Sequence, residues 1–201
     1  MIRVLDARFL TTAVEEKGWP PGDAPEIAFV GRSNVGKSSM INALTGRRKL
    51  VRVSNTPGRT RTLNFFDAVL EKDGQRRTVR LADLPGYGFA RVSREERAGW
   101  ERMITSYLER RTSLRGVVAI VDAEVGATED DVRTLAYLVG AGRRVLVAAT
   151  KLDRVGKSHR KPQLAAIAER LSVPRDTVLG FSATEKLGVR EVWESLWMAT
   201  S

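Results

Sequence analysis

The feature that most constrains this chain is a glycine-rich segment that fits the pattern G-x-x-x-x-G-K-[ST]. It consists of Gly31, Arg32, Ser33, Asn34, Val35, Gly36, Lys37 and Ser38. The segment follows an apolar run at 26–30, which predicts a strand, and opens a helical pattern that stops near Gly46. Such a turn directs backbone amides towards an anion, and the helix behind it presents its positive dipole end. The segment therefore predicts a phosphate-binding loop.

Two side chains of this loop suit a nucleotide and its metal ion. Lys37 can place its charge on the β- and γ-phosphates, and the Ser38 hydroxyl can bind Mg²⁺. Because phosphoryl transfer depends on neutralising charge, Lys37 is also a candidate catalytic residue. We extend the predicted loop by one residue into the helix, to Ser39.

The rest of the chain alternates short apolar runs with helical patterns, which predicts an α/β fold with a mostly parallel sheet and helices on both faces. Runs at 63–70 and 77–83 are joined through Asp73-Gly74, a strong hairpin signal. One of the six predicted strands is therefore antiparallel and lies at the sheet edge. The remaining strands are predicted at 116–122, 145–150 and 177–181.

A cluster of proline and glycine at 20–25 separates an N-terminal arm, residues 1–25, from the domain at 26–201. The pattern of the arm leaves two placements open, as an extra strand of the sheet or as a segment folded against it. Two capping boxes predict helix starts further along, one from Ser93 and Glu96 and one from Thr128 and Asp131.

A second short motif ends the predicted hairpin and consists of Asp83, Leu84, Pro85 and Gly86. An aspartate at this strand end can hold Mg²⁺ through water, and the Gly86 amide can contact a γ-phosphate. The pattern D-x-x-G alone is also typical of an ordinary turn. Its position after the phosphate-binding loop and the hairpin favours the nucleotide role.

Two further motifs follow the last predicted strands. They consist of Thr150, Lys151, Leu152 and Asp153, and of Phe181, Ser182 and Ala183. The Asp153 carboxylate can accept hydrogen bonds from guanine N1–H and N2–H₂, a pair of donors that adenine lacks. Lys151 would cover the base, and a backbone amide of Ser182-Ala183 can donate to guanine O6. The expected ligand is therefore GTP or GDP rather than ATP.

The loop between the first helix and the hairpin supplies a third metal-ligand candidate. Thr56 and Thr60 can each complete a Mg²⁺ shell, and we select Thr60 because it follows Pro57-Gly58 and lies nearer the hairpin. The predicted Mg²⁺ ligands are Ser38, Thr60 and Asp83. The loop residues predicted to approach the nucleotide are Gly58, Arg59, Thr60, Arg61 and Thr62. Loss of the γ-phosphate would release this loop and residues 84–92, which makes a two-state switch.

Composition narrows the remaining choices. The 201 residues include no cysteine and one histidine, which excludes disulfides and thiolate or histidine-rich metal sites. The net charge of +10, from 34 basic and 24 acidic residues, favours a polyanionic partner such as RNA. The apolar runs are too short to cross a bilayer, and the first ten residues do not resemble a signal peptide. We expect a cytoplasmic monomer without membrane contact.

The ordered motifs resemble those of Ras-like P-loop G domains. Their residue sequences are similar to those of the EngB-type ribosome-biogenesis GTPases, relatives of the Era and TrmE proteins. The similarity covers about residues 5–198, and the run Asp83-Leu84-Pro85-Gly86-Tyr87-Gly88 is its most specific part. Thr150, where many GTPases have asparagine, also matches that family. The resemblance implies a Mg²⁺-dependent GTP cycle. It further implies a role in assembling the bacterial large ribosomal subunit, on rRNA and ribosomal proteins, with links to cell division and septation.

The same resemblance implies slow intrinsic hydrolysis, because Tyr87 stands where many GTPases carry the glutamine that orients the attacking water. In relatives, an asparagine matching Asn34 helps to hold K⁺ beside the phosphates, so the candidate catalytic residues are Lys37, Asn34 and Thr60. Asn34 could instead only support the loop by hydrogen bonds. Three arginines in the two predicted switch loops could act as an arginine finger or contact phosphate or RNA: Arg59, Arg61 and Arg91.

Two other functions share parts of this pattern. An ATP-using kinase or ATPase would have the same phosphate-binding loop, but it would not need a carboxylate at Asp153 or the ordered later motifs. An RNA-binding assembly module could hold GTP only as a structural ligand, and the missing glutamine keeps that alternative open. At least slow GTP turnover is favoured by the presence of the full set of phosphate and metal ligands, Lys37, Ser38, Thr60 and Asp83.

Overall fold

The computed structural model of the chain describes residues 1–51, 62–87 and 94–201. These ranges contain seven strands and five α-helices. The strands are β1 (Arg3–Ala13), β2 (Glu26–Gly31), β3 (Leu63–Lys72), β4 (Gln75–Asp83), β5 (Leu114–Asp122), β6 (Val145–Thr150) and β7 (Val178–Gly180). The helices are α1 (Lys37–Thr45), α2 (Arg94–Arg110), α3 (Glu129–Gly140), α4 (Arg160–Arg170) and α5 (Val189–Ala199).

All seven strands form one sheet in the order β1-β3-β4-β2-β5-β6-β7. Strands β4, β2, β5, β6 and β7 are mutually parallel, whereas β3 pairs antiparallel with β4 and with β1. The α/β, mostly parallel architecture is therefore confirmed. The sheet has seven strands rather than the predicted six, because the N-terminal arm contributes β1. This added strand forms the edge, and the antiparallel β3 lies one position inside it.

The core lies on both faces of the sheet, as the alternation along β2 shows. Ile27 and Phe29 belong to the cluster that contains α1 and α5, whereas Ala28 and Val30 belong to the cluster that contains α2. All six residues of β2 are buried. A strand buried on both faces reads as a continuous apolar run, which is why the sequence signal for this strand is strong.

Local signals placed several elements correctly. Asp73 and Gly74 join β3 to β4 with φ values of 50° and 79°, the left-handed pair that a two-residue hairpin needs. Thr128 and Asp131 form the predicted capping box of α3, with the Thr128 N–H donating to Asp131 Oδ2 at 2.8 Å. Helix α2 starts at Arg94, and the Ser93 predicted to cap it lies outside the described residues. Helix α4 begins at Arg160, two residues before Pro162.

The arm is held at both ends of its length. Strand β1 pairs with β3 from Arg3 to Ala13, with two bulges along the way. After the strand, Arg111 Nη2 donates to the Pro20 carbonyl at 2.6 Å, and Arg80 Nη1 lies 3.0 Å from Asp23 Oδ1. Of the two placements that the sequence left open, the arm therefore takes the strand. Within the described ranges, no helix is both long and apolar enough to cross a bilayer.

Candidate functional site

The four predicted motifs follow the carboxyl ends of parallel strands. The phosphate-binding loop follows β2, Asp83 ends β4, Thr150 ends β6, and Ser182 follows β7. Parallel strands bring their carboxyl ends to one edge of the sheet, and ligands of open α/β sheets bind there. The topology therefore gathers the motifs at a single edge, although Gly31 and Ser182 are 151 positions apart in sequence.

The phosphate-binding loop leads directly into the amino end of α1. Gly36 precedes the helix with φ of 100°, a left-handed conformation that residues other than glycine adopt at a cost. Gly36 has no side chain to cap the first helical amides, which leaves them to an anion. Asn34 is exposed in the loop and also has a positive φ, of 60°. This backbone suits a phosphate group.

Lys37 and Asp83 meet at the centre of the site. The Lys37 ammonium donates to Asp83 Oδ1, and both side chains are largely buried, at 10% and 4% exposure. The residue predicted to bind phosphate is thus placed beside the carboxylate predicted to hold Mg²⁺. Ser38 is half-buried in the first turn of α1, next to Lys37 in sequence. These donors and ligands have the chemistry that a phosphate–magnesium pair requires.

The segment after Asp83 lies against the phosphate-binding loop. The Tyr87 N–H donates to the Gly31 carbonyl at 3.2 Å, and the Ser33 N–H donates to the Tyr87 carbonyl at 3.0 Å. Gly86 approaches so closely that a Cβ there would lie 2.9 Å from the Ser33 nitrogen. Only glycine fits at this contact without a shift of the backbone.

The Tyr87 side chain is directed to the start of α3 instead. Its hydroxyl donates to Asp131 Oδ1 at 2.7 Å, and Asp131 Oδ2 is the acceptor in the capping box. Burial, and then the negative charge of Asp131, raise the pKa of Tyr87 well above its usual range. Tyr87 is therefore a neutral hydrogen-bond donor at any working pH.

The predicted base-reading segment is tied to the phosphate-binding loop. Thr150 Oγ1 lies 2.5 Å from the Val35 carbonyl, to which it donates, and 3.1 Å from the Val121 carbonyl. Lys151 has a left-handed backbone with φ of 57°, and its Nζ donates to Asp122 Oδ2 at 2.6 Å. The two ends of the site are therefore linked through buried hydrogen bonds.

Asp153 is oriented by the last motif. The Ser182 hydroxyl donates to Asp153 Oδ1 at 2.7 Å, and the Leu152 N–H donates to the Phe181 carbonyl at 3.1 Å. Ser182 is fully buried, while Asp153 and Ala183 are half-buried. A fixed carboxylate of this kind can accept two parallel N–H donors from one ring edge.

Some predicted site residues can contribute only through their backbone, because their side chains are buried. These are Val35, Leu84, Pro85, Leu152 and Phe181. Four others, Gly58, Arg59, Thr60 and Arg61, lie outside the described residues, while Thr62 is half-buried just before β3. Their roles remain predictions, as do those of Arg32, Ser33 and Ser39, which are half-buried around the loop.

Two aspartates of the site were missed by the sequence reasoning. Asp122 accepts from Lys151, and its Oδ1 also accepts the Glu124 N–H at 2.9 Å, while Asp131 accepts from Tyr87. Asp122 could have been found from its place at the end of a predicted buried strand. Asp131 was recognised as a capping residue, and nothing in its sequence context indicates Tyr87 as a partner.

A parallel sheet with a phosphate-binding loop after β2, an aspartate ending β4 and an oriented carboxylate after β6 defines a Ras-like P-loop G domain. Comparison with known proteins agrees with that class. Residues 26–151 match the family described as 50S ribosome-binding GTPase. The chain is 65% identical over 196 residues to a probable GTP-binding protein EngB from Myxococcus xanthus, covering 98% of this chain and 95% of the relative. The chain therefore belongs to the EngB family of GTP-binding proteins.

Further relatives give the same result. A probable GTP-binding protein EngB from an Anaeromyxobacter species is 48% identical over 202 residues, covering 100% of this chain and 94% of the relative. A crystal structure of a probable GTP-binding protein engB is 24% identical, with a TM-score of 0.66 over 87% of this chain and 98% of that one. The structural likeness confirms the Ras-like fold.

Proposed function

We propose that this chain is a Mg²⁺-dependent GTPase with slow intrinsic hydrolysis that acts as a switch in assembly of the bacterial large ribosomal subunit. One observation carries the nucleotide part of the proposal. The contact between Lys37 and Asp83 lies beside the start of α1, and a network through Thr150 joins this region to an oriented Asp153. Family membership supports GTP turnover in general terms.

Guanine recognition is assigned to Asp153. With Oδ1 already accepting from Ser182, each carboxylate oxygen still has a lone pair for a base donor. Guanine supplies N1–H and N2–H₂ on one edge, and adenine has no such pair. The Ala183 amide lies next in sequence to Ser182 and is our candidate donor to guanine O6. Lys151 supplies an apolar stem that can cover the base.

The phosphates and Mg²⁺ are assigned to the other end of the site. Lys37 and the amides at the start of α1 would bind phosphate oxygens, and Ser38 and Asp83 would hold the metal ion, with Thr60 as the third ligand. Bound Mg²⁺ neutralises the charge that develops on the transferring phosphoryl group. Because the Lys37 ammonium contacts the Asp83 carboxylate, binding of the phosphates and Mg²⁺ would replace this contact with one from each side chain to the ligand.

Slow hydrolysis is expected because Tyr87 replaces a water-orienting glutamine and its hydroxyl is engaged by Asp131. Efficient turnover would then require help from outside the chain. Asn34, exposed on the loop, is our candidate for helping to hold K⁺ near the phosphates. A ribosomal partner is the other source of activation.

The ribosomal part of the proposal rests on the relatives and on charge. The matched family is described as 50S ribosome-binding, and a chain of net charge +10 is attracted to rRNA. We propose that the protein works as a monomer in the cytoplasm on a precursor of the large subunit, in contact with rRNA and ribosomal proteins. A link to cell division and septation follows from the same family resemblance.

The test is multiple-turnover phosphate release from GTP with and without purified bacterial 50S subunits, in K⁺ and in Na⁺ buffers. We expect slow release from the protein alone and faster release with subunits, together with tighter co-sedimentation in the presence of a non-hydrolysable GTP analogue than of GDP. Absence of co-sedimentation in both nucleotide states would contradict the ribosomal role.

Tyr87 also favours a second candidate function, an RNA-binding assembly module that holds GTP as a structural ligand. The same assay separates the two. Co-sedimentation with 50S subunits but no phosphate release, in K⁺ or in Na⁺, would support the structural role and overturn the switch.

A further inference from the structure

We infer that Arg160 and Glu185 form a brace that positions Ser182, and through Ser182 the guanine-reading carboxylate of Asp153. The inference rests on the proposed function, because it concerns how Asp153 distinguishes guanine from other purines. Neither Arg160 nor Glu185 hydrogen-bonds Asp153. They are positioning residues, because Glu185 reaches Asp153 through Ser182 and Arg160 acts through Glu185.

The brace itself is a two-pronged ion pair. Arg160 Nη1 donates to Glu185 Oε2 at 2.9 Å, and Nη2 donates to Oε1 at 3.0 Å. Arg160 Nε also donates to the Val155 carbonyl at 3.1 Å, two residues after Asp153. The planar guanidinium fixes direction as well as distance, since both prongs must be satisfied together. The start of α4 is thereby joined to both sides of the base-reading region.

The link from Glu185 to Asp153 passes through one hydroxyl. The Glu185 backbone N–H donates to Ser182 Oγ at 3.0 Å, and the Ser182 hydroxyl donates to Asp153 Oδ1 at 2.7 Å. The Ser182 hydroxyl accepts from Glu185 and donates to Asp153, so the direction of the hydroxyl proton is fixed. The position of the Glu185 backbone therefore sets the geometry of the Asp153 carboxylate.

Glu185 lies in a loop that is closed at its base and held elsewhere by its side chain. Ser182 and Leu187 exchange two backbone hydrogen bonds, of 3.1 and 3.0 Å, so the loop between them begins and ends in one place. Within that loop the Glu185 carboxylate is the group that reaches α4. Arg160 is 16% exposed and Glu185 40% exposed, so the pair lies at the rim of the structure, where a fixed fork geometry matters more than charge alone.

The consequence is a specific form of selectivity. Guanine presents two donors to Asp153, whereas hypoxanthine lacks the 2-amino group and presents only N1–H. When the orientation of the carboxylate becomes less fixed, binding to two donors is weakened more than binding to one, because both hydrogen bonds must be aligned at the same time. Weakening the brace should therefore reduce affinity for GDP more than affinity for inosine diphosphate.

The experiment compares dissociation constants for GDP and inosine diphosphate in wild type, Arg160→Met and Glu185→Gln. Arg170→Met is the matched control, because Arg170 also lies in α4 and makes a 2.9 Å ion pair, with Glu129 of α3, outside this loop. We expect both brace variants to bind GDP about three- to tenfold more weakly with little change for inosine diphosphate, and the control to match wild type. The double variant should bind GDP little more weakly than either single brace variant, because both changes break the same ion pair.

An unchanged ratio of the two dissociation constants in both brace variants overturns the brace, even if their thermal unfolding temperatures fall. A wild-type protein that binds both nucleotides equally would instead contradict the assignment of Asp153 to guanine, on which the proposed function depends. Failure of the brace and failure of the proposed function therefore give different results.

Discussion

The hydroxyl of Tyr87 donates a 2.7 Å hydrogen bond to Oδ1 of Asp131, and this contact joins the segment after the D-x-x-G motif to the first turn of α3. The same aspartate closes the capping box of α3 with Thr128. The Asp131 carboxylate thus caps the start of α3 and also binds the Tyr87 hydroxyl. The Tyr87 backbone, in turn, is paired with Gly31 and Ser33 of the phosphate-binding loop.

Replacing Tyr87 with phenylalanine tests what this hydroxyl does. Because it is used by Asp131, we expect intrinsic GTP hydrolysis to stay within about twofold of wild type, while the free energy of unfolding falls by about 1 kcal/mol. Single-turnover hydrolysis and urea titration measure the two effects. Tyr137→Phe is the control, since its hydroxyl donates to the exposed carboxylate of Glu109, at 3.0 Å. A large drop in hydrolysis for Tyr87→Phe alone would show that the hydroxyl acts on the attacking water.

Replacing Thr150 with valine removes the hydroxyl that reaches the Val35 carbonyl and keeps the shape of the side chain. Thr150 is 3% exposed, so the carbonyl loses a buried donor, and we expect a loss of about 1–3 kcal/mol in unfolding free energy. Weaker GDP binding should accompany it, because this bond ties the phosphate-binding loop to the base-reading segment. Thr177→Val, which removes an exposed 2.7 Å bond to the Pro174 carbonyl, should leave GDP affinity unchanged. Equal GDP affinity in both variants would contradict the coupling.

Two ion pairs with neighbouring arginines lie near the junction between the arm and the domain, one made by Glu26 of β2 and one by Glu16 of the arm. Glu26 is fully buried and accepts from Arg111 Nε at 2.9 Å and from the Tyr107 hydroxyl at 2.8 Å. Glu16 makes an exposed 3.1 Å pair with Arg110. We expect Glu26→Gln to lower the unfolding free energy by about 3 kcal/mol, because a buried guanidinium loses its counter-charge.

The control, Glu16→Gln, should cost less than about 1 kcal/mol, since solvent already screens that pair. Denaturant titration of both variants gives the comparison. Similar small losses would mean that the buried network does not hold the arm to the domain.

Alkaline titration tests the two buried phenols. Burial, followed by the charge of Asp131 for Tyr87 and of Glu26 for Tyr107, raises the pKa of each above the usual 10.0. A raised pKa means that the folded state holds the proton more tightly than the unfolded state. The resulting stability is fully present below pH 10 and is lost as the pH rises from there.

Near-ultraviolet absorbance should therefore show the more exposed Tyr137 ionising first, with Tyr87 and Tyr107 ionising only as far-ultraviolet circular dichroism reports unfolding. Ionisation of all three tyrosines near pH 10 in a folded protein would contradict the described burial.

The candidate site motifs can be recognised in the sequence because they are local and their backbone demands are strict. Gly36 and the strand–loop–helix around it can be read from spacing, and Asp153 from its place after a buried strand. The sequence left open whether the arm forms strand β1, because the exposure along this strand alternates weakly and its pairing with β3 joins residues about 60 positions apart. Edge strands of this kind depend on tertiary contacts more than on propensity.

The interactions between motifs were also beyond the sequence. Nothing local indicates that Lys37 contacts Asp83, that Thr150 bonds Val35, or that Arg160 reaches Glu185. Each pair is brought together only by the strand order, and the residues of each pair are between 25 and 115 positions apart. Sequence spacing indicates the candidate motifs, whereas the contacts between their side chains are determined by the fold.

The most direct test of the central claim is displacement of a fluorescent GDP by GTP, GDP, ATP and xanthosine diphosphate, with Mg²⁺, for wild type and Asp153→Asn. We predict that only guanine nucleotides compete for wild type. The variant should lose that preference and gain affinity for xanthosine diphosphate, because an asparagine amide can donate to the C2 carbonyl that replaces the guanine amino group. Equal competition by ATP and GTP in the wild type, with no change on substitution, would contradict the account.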